Sequence, residues 1–117
     1  MLCPSARCAE GAQLIGRAIS PTEVVILPVP MIVTKAFVEE AWQRKIPEKR
    51  FRFAAPCQGA NCVNWLGNRC QVPSQVSTLV EQVDAPTCGI RLQCRWFHEN
   101  GLAACKVCPK VTTQRDT

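Results

Sequence analysis

Nine cysteines are the residues of this chain with the clearest chemical potential, and seven of them lie between Cys57 and Cys108. The first group is Cys57, Cys62 and Cys70, the second is Cys88, Cys94, Cys105 and Cys108, and Cys3 and Cys8 lie near the N-terminus. Thiols at this density are crosslinked, bound to metal or reactive. The function of the chain depends on which of these states they adopt.

The rest of the sequence favours metal over disulfides. The first ten residues lack the basic head and apolar run of a signal peptide. The longest apolar run, 24–33, contains two prolines and is about half of the roughly 20 residues that a membrane span needs. We therefore expect a cytoplasmic protein that does not enter a membrane, where stable disulfides are rare. Nine is also an odd number, which full pairing cannot accommodate, although disulfides remain an alternative.

The spacing of the cysteines distinguishes two kinds of metal centre. Structural zinc holds four ligands in a tight tetrahedron, typically from paired knuckles with two residues between the ligands. Cys105 and Cys108 have that spacing, but Cys88 and Cys94 are separated by five residues and the first group by four and seven. Unequal spacings suit an iron–sulfur cluster better, because its core is larger than one ion. Cys108-Pro109 also resembles the Cys-Pro that ends ferredoxin-type runs.

We therefore predict two thiolate sites. Cys88, Cys94, Cys105 and Cys108 form one site, closed within twenty-one residues. Cys57, Cys62 and Cys70 supply three ligands of the other, and either Cys3 or Cys8 completes it by docking the N-terminus. One cysteine is then left over, and exchange of ligands between the groups remains open.

The predicted function is that of a small iron–sulfur protein with one or two clusters, most simply of the 4Fe-4S type. It would transfer electrons to a redox partner or serve as the redox accessory of a larger enzyme, without being an enzyme itself. The main alternative is a zinc-stapled adaptor for protein or nucleic acid, with Arg50, Arg52, Arg91 and Arg95 on one surface. A thiol-based redox enzyme or sensor that uses Cys105 and Cys108 as a dithiol is a third possibility.

The net charge of +5 gives little support to nucleic-acid binding once the centres are included. A four-cysteine zinc site and an oxidised four-iron cluster with four thiolates each carry about −2. Two such sites lower +5 to about +1. The basic residues are then mainly compensation for anionic centres, and we expect no nucleic-acid partner.

The predicted fold is a small α+β, cysteine-rich, metal-stapled domain with short helices, a minor edge strand or strap, and long irregular loops. Apolar residues at 14, 15, 18 and 19 favour a short helix. Residues 24–33 suit an edge strand, because Pro28 and Pro30 lack donors on the same side. Thr34 should cap a helix that runs to Lys45, with Trp42 in its buried stripe.

Four further elements complete the prediction. Residues 50–53 alternate Arg and Phe, which indicates a strand with solvated Arg and buried Phe side chains. A helix capped by Ser74 should extend to Val83, and residues 94–99 should form a helix closed by Asn100-Gly101. Residues 102–108 should add one turn. We expect a single domain, 1–117, with a scaffold lobe (1–56), a metal lobe (57–110) and a frayed tail (111–117).

Overall fold

A four-stranded antiparallel sheet forms the centre of the molecule, in a computed structural model that describes residues 1–111. Its strands are β1 (Leu2–Ala6), β2 (Gln13–Ser20), β3 (Glu23–Ile32) and β4 (Phe51–Pro56), in the spatial order β1-β4-β2-β3. The chain is therefore a small α+β protein with short helices, as predicted. The sheet is larger than the minor strand that the sequence suggested.

Short elements complete the described chain. The helices are α1 (Lys35–Arg44), α2 (Val72–Ser77), α3 (Arg95–Asn100) and α4 (Leu102–Cys105). Two short strands of two residues each, β5 (Trp65–Leu66) and β6 (Arg69–Cys70), pair as an antiparallel hairpin. Single 3-10 turns span Pro47–Lys49, Gly59–Asn61, Arg91–Gln93 and Cys108–Lys110.

Two predicted elements of the N-terminal half are confirmed. β3 lies at the edge of the sheet, as its prolines indicated. Thr34 caps α1, and its hydroxyl accepts a hydrogen bond from the backbone N–H of Phe37 at 3.2 Å. The buried stripe of α1 was wrong in one respect, because Trp42 is 52% exposed and Ala41 takes the buried position.

The predicted helix over residues 14–19 is wrong, because these residues belong to β2. Leu14 and Ile15 are adjacent residues of a strand, so their side chains point to opposite faces of the sheet and pack in different cores. An irregularity in the pairing between Leu14 and Gly16 interrupts the alternation that would have revealed a strand. The strand form is decided by pairing with β3 and β4, which lie far along the chain.

Both faces of the sheet are covered. Helix α1 covers one face, where Phe37 packs against Phe51 and Phe53 with ring centroids 5.6 and 6.2 Å away. The C-terminal part of the chain covers the other face, where Ile15 and Ala54 form a core with residues that include Trp96. The core on this second face therefore contains residues from both halves of the sequence.

The coverage of the second face overturns the prediction that Arg52 is solvated. Arg52 alternates with the Phe residues as expected for a strand, but its side chain is fully buried. Its face of β4 lies against the C-terminal segment rather than against water. The burial of Arg52 comes from this distant segment, which the local alternation could not reveal.

Two of the predicted C-terminal elements also differ. The helix predicted from Ser74 to Val83 is confirmed over residues 74–77 only, since α2 begins at Val72 and ends at Ser77, with Gln71 rather than Ser74 at its N-cap. Helix α3 and its closure by Gly101 at φ 66° are confirmed. The sequence predicted a frayed tail that begins at Val111, but Val111 is buried in the core. The rest of this tail, residues 112–117, lies outside the described part of the chain.

Candidate metal centres

Eight of the nine cysteines line two cavities, four in each. The C-terminal cavity is lined by Cys88, Cys94, Cys105 and Cys108. The second cavity, which we call the N-terminal cleft, is lined by Cys3, Cys57, Cys62 and Cys70. All nine cysteines are free thiols. The fold therefore groups the cysteines as the sequence grouped them, and it brings Cys3 rather than Cys8 to the first group.

The C-terminal cavity is small and apolar. Its volume is about 20 Å³, and its walls include Ile15, Ile90 and Trp96, each about 2% exposed. That volume is close to the space of one water molecule. A centre bound there would touch side chains on its inner sides and exclude solvent.

Short local elements position the four thiols of this cavity. Cys94 precedes α3, and Cys105 ends α4. Cys108 begins the final 3-10 turn. The position of Cys88 is fixed by the next residue, Gly89, which packs closely on β3. A Cβ atom added to Gly89 would lie 2.7 Å from the carbonyl oxygen of Pro28. The prolines of the edge strand thus help to position Cys88.

Two thiols of the C-terminal cavity, Cys88 and Cys94, favour the protonated state without a cation. Burial raises the pKa of Cys94 to about 11, and repulsion from Cys108 and Cys105 adds to this, while the N–H groups of Phe97 and Trp96 oppose it. Burial also raises the pKa of Cys88, and the N–H of Ile90 and the charge of Arg91 partly oppose that shift. Thiolates in this cavity therefore need a positive partner, which a metal supplies.

The N-terminal cleft is much larger and opens to the surface. Its volume is about 950 Å³. β1 supplies Cys3 and β6 supplies Cys70, while Cys57 follows β4 and Cys62 follows a 3-10 turn. The backbone N–H of Cys57 donates to the carbonyl oxygen of Met1 at 2.8 Å, which fixes the N-terminus beside the first group.

The thiols of the cleft influence one another. Burial raises the pKa of Cys3, the N–H of Ser5 opposes this, and repulsion from Cys57, Cys70 and Cys62 raises it further. Burial likewise raises the pKa of Cys70, which accepts opposing hydrogen bonds from the Val72 backbone and the Trp96 side chain. These mutual effects are those expected of thiols that lie close together.

A recurring backbone contact marks five of the cysteines. In each case the N–H of the residue two positions later points at the sulfur. The cysteines concerned are Cys3, Cys57, Cys70, Cys88 and Cys94. For Cys57 the donor is Gly59, with N and Sγ 3.3 Å apart. Such donors stabilise negative charge on sulfur and are typical of metal-bound thiolates.

Cys8 lies apart from both cavities. It is buried, and its backbone N–H donates to a carboxylate oxygen of Glu48 at 2.7 Å. Burial and repulsion from Glu48 raise the pKa of its thiol, while the charge of Arg50 lowers it. Cys8 is thus the cysteine that neither group takes up.

The donor sets fit a thiolate-bound metal, but the side chains are not in a closed binding arrangement. Within residues 1–111, no three His, Cys, Asp or Glu side chains converge closely enough to hold a metal ion. Four thiols with N–H donors remain a donor set that both zinc and iron–sulfur clusters accept. Binding of either would draw the thiols of each cavity together.

The sequence placed Arg52 on a basic surface and did not reveal its contact with the C-terminal cysteines. One guanidinium nitrogen donates to the sulfur of Cys108 at 3.3 Å, and the group lies 5.6 Å from the ring centre of Trp96. Trp96 in turn lines both cavities. Trp96 itself lies in the core between the sheet and the C-terminal part of the chain. No local signal in the sequence connected Arg52 with Cys108.

Comparison of the chain with protein-family models, curated proteins and solved structures finds no match. Within the described residues, no helix is long and apolar enough to span a membrane. The function must therefore be argued from the sites themselves.

Proposed function

We propose that the chain is a small iron–sulfur protein with one centre at each group of four cysteines, acting in electron transfer. It would serve either as a carrier or as the redox accessory of a larger enzyme. The observation that carries the proposal is the division of eight cysteines into two cavities of four thiols each. Four thiolates are the usual ligand set of a 4Fe-4S cluster.

The surroundings of the sulfurs support this function. Backbone N–H groups point at five of the eight, and such donors tune the reduction potential of a cluster. The apolar walls of the C-terminal cavity would keep water away from its centre. Cluster centres supply reversible one-electron transfer when bound, and the chain's own residues hold the ligands, exclude solvent and balance charge.

Iron–sulfur clusters account for the thiols better than zinc does. A single zinc ion draws four sulfurs to about 2.3 Å from one point, whereas a cluster core holds them further apart. The thiols line their cavities without converging on one ion position. The unequal spacings of the cysteines along the chain, which suit a core larger than one ion, also favour the cluster.

A zinc-stapled adaptor is the second candidate, because Cys105 and Cys108 have the spacing of a zinc knuckle. The basic surface that this alternative needs is weakened by the burial of Arg52. Arg95 is also engaged, since it contacts Glu99 at 3.7 Å and lies over the ring of Trp65. These contacts leave fewer free arginines for nucleic acid.

Anaerobic purification with metal and sulfide analysis tests the proposal directly. Two four-iron centres predict about eight iron and eight sulfide per chain, a brown colour and an absorption that bleaches with dithionite. A colourless protein with one or two zinc ions and no sulfide would establish the adaptor instead. A metal-free protein whose Cys105 is a reactive thiolate would support thiol-based redox chemistry.

A further inference from the structure

Arg52 is a buried cation whose hydrogen bonds join three distant parts of the chain. Its Nε donates to the carbonyl oxygen of Pro4 at 2.8 Å. Its Nη1 donates to the carbonyl oxygens of Cys108 and Val111 at 2.9 and 2.7 Å, and its Nη2 donates to Cys108 Sγ. The guanidinium is therefore fixed in one orientation against the sulfur of a cavity cysteine.

A guanidinium without solvent requires compensating negative charge. Arg52 is fully buried, and within residues 1–111 its polar contacts are three carbonyl oxygens and one sulfur. Burial of an unpaired ion is costly, and arginine does not lose its proton. Negative charge on Cys108 and its centre would supply a compensating anion, through a charge-assisted hydrogen bond.

The two groups of cysteines differ in the positive charge that lies beside them. The N-terminal cleft is lined by Arg7, Arg95 and Lys110, but their side chains are exposed or half-buried, so solvent screens their charges. Lys110 also pairs with Glu23 at 3.2 Å. The C-terminal cavity instead has a buried guanidinium in contact with a ligand sulfur. The electrostatic effect of one arginine should therefore be concentrated on one centre.

We propose that Arg52 is a positioning residue that raises the reduction potential of the centre held by Cys88, Cys94, Cys105 and Cys108, and leaves the centre in the N-terminal cleft unchanged. The inference rests on the proposed iron–sulfur function. Reduction adds one electron to the centre, taken from an external one-electron donor, and breaks no bond. In an apolar cavity the added negative charge is penalised, and the adjacent guanidinium offsets that penalty.

Arg91 is the other arginine at the C-terminal cavity, and its geometry gives it a smaller role. Its side chain is only half-buried, and its guanidinium donates to the carbonyl oxygen of Pro86. Its charge opposes the rise in the pKa of Cys88, so it does act on the cavity. Solvent screening should make its effect on the potential weaker than that of Arg52.

The test is a redox titration of both centres, followed by electron paramagnetic resonance, in the anaerobic full-length protein. Arg52→Gln removes the charge, Arg52→Lys keeps it, and Arg17→Gln removes an exposed charge from the same sheet as a control. We expect Arg52→Gln to shift the potential of one centre to a more negative value. Arg52→Lys should restore most of the shift, and Arg17→Gln should leave both potentials unchanged.

Equal shifts of both centres, or no shift of either, would overturn the role of Arg52 while leaving the proposed function in place. Wild-type protein without iron would overturn both. A purely structural role for Arg52 predicts that the Gln and Lys variants lose cluster content together without a selective change in potential.

A measurement with Arg52 intact covers the case in which the Gln variant does not fold. Protein labelled with ¹⁵N in its guanidinium groups is prepared in an Arg91→Lys background, so that Arg91 contributes no labelled nitrogen. The centre of the C-terminal cavity is identified as the one whose spectrum Cys108→Ser alters, and pulsed resonance should detect ¹⁵N coupling to that reduced centre. Coupling to the other centre would come from Arg7 and Arg95, which line the N-terminal cleft. Absence of coupling to the centre of the C-terminal cavity would contradict the contact between Arg52 and Cys108.

Discussion

Leu2 and Cys94 form an isolated parallel β-bridge, which places the first strand directly beside the second group of cysteines. Cys3, the next residue, lines the other cavity. One short stretch of backbone therefore contacts both groups, although they are separated in the sequence. Together with Trp96, which lines both cavities, the bridge makes the two sites neighbours in the fold rather than independent modules.

Cys8 and Cys105 should respond differently to substitution. Cys105→Ser removes a proposed ligand from the C-terminal cavity, so we expect the iron content to fall by about half and one resonance signal to be lost. Cys8→Ala changes a buried thiol outside both cavities, and should leave iron and sulfide unchanged. Metal analysis of the two purified variants measures the difference. Equal loss of iron in both would mean that Cys8 is a ligand.

Cys3 should be needed for the cleft centre alone. Because Cys3 lines only the N-terminal cleft, Cys3→Ala should abolish that centre and retain the other. The matched control is Ser5→Ala, a substitution on the same strand that removes no thiol. Iron content and the resonance spectrum distinguish the outcomes. If Cys3→Ala leaves both centres intact, the N-terminus does not close the first group.

Gly89→Ala should destabilise the protein and disturb Cys88. The added Cβ would meet the backbone carbonyl of Pro28 at 2.7 Å, and this contact cannot be relieved by rotating a side chain. Overpacking of this kind costs about 2 kcal/mol in the free energy of unfolding. Gly67→Ala is the control, because its Cβ meets nothing within 4 Å and only its φ of +69° is unfavourable, at about 1 kcal/mol.

Denaturant titration of the metal-free proteins measures the loss in the free energy of unfolding for both variants. Equal effects of the two substitutions would show that Gly89 does not require the close approach to β3. Loaded protein provides a second measurement, since displacement of Cys88 should lower the iron content of Gly89→Ala and leave that of Gly67→Ala unchanged.

The metal-free protein should lose stability in alkaline solution. The pKa of Cys94 is raised from 9.0 to about 11 in the fold, so between those values the unfolded chain releases a proton that the folded chain retains. The stabilising contribution is therefore fully present below pH 9 and is lost as the pH rises through 11. The two-unit difference corresponds to about 3 kcal/mol at most.

Chemical denaturation between pH 8 and 11 measures this loss, and Cys94→Ala should reduce its slope. The raised pKa values of Cys3, Cys8, Cys70 and Cys88 act in the same direction and leave a residual slope. Protein loaded with metal should not show the loss, because its ligands are already thiolates. A metal-free protein whose stability is constant to pH 11 would contradict the burial of these thiols.

Local signals in the sequence predicted local features well. The cap at Thr34 and the closure of α3 by Gly101 depend on hydrogen bonds within a few residues, and the sequence identified both. The two cysteine groups were also apparent, because the members of each group, apart from Cys3, lie within twenty-one residues of one another. Pro28 and Pro30 indicated an edge strand for a reason contained in their own chemistry.

Features that depend on distant contacts could not be predicted in this way. β2 was mistaken for a helix, since its irregular pairing at Leu14 and Gly16 hides the alternation of a strand. Arg52 was expected in solvent, because nothing near it in the sequence shows that Cys108 and Val111 cover its face of β4. The choice between Cys3 and Cys8 likewise depends on how the N-terminal strand pairs with β4.

The contacts of Arg52 also constrain the order of events during protein synthesis. Its guanidinium is satisfied by carbonyl groups of residue 4 and of residues 108 and 111. A nascent chain therefore cannot complete these contacts until residues 108–111 have left the ribosomal exit tunnel. All four strands of the central sheet are synthesised before this point, so the burial of Arg52 is a late step that follows the synthesis of the sheet.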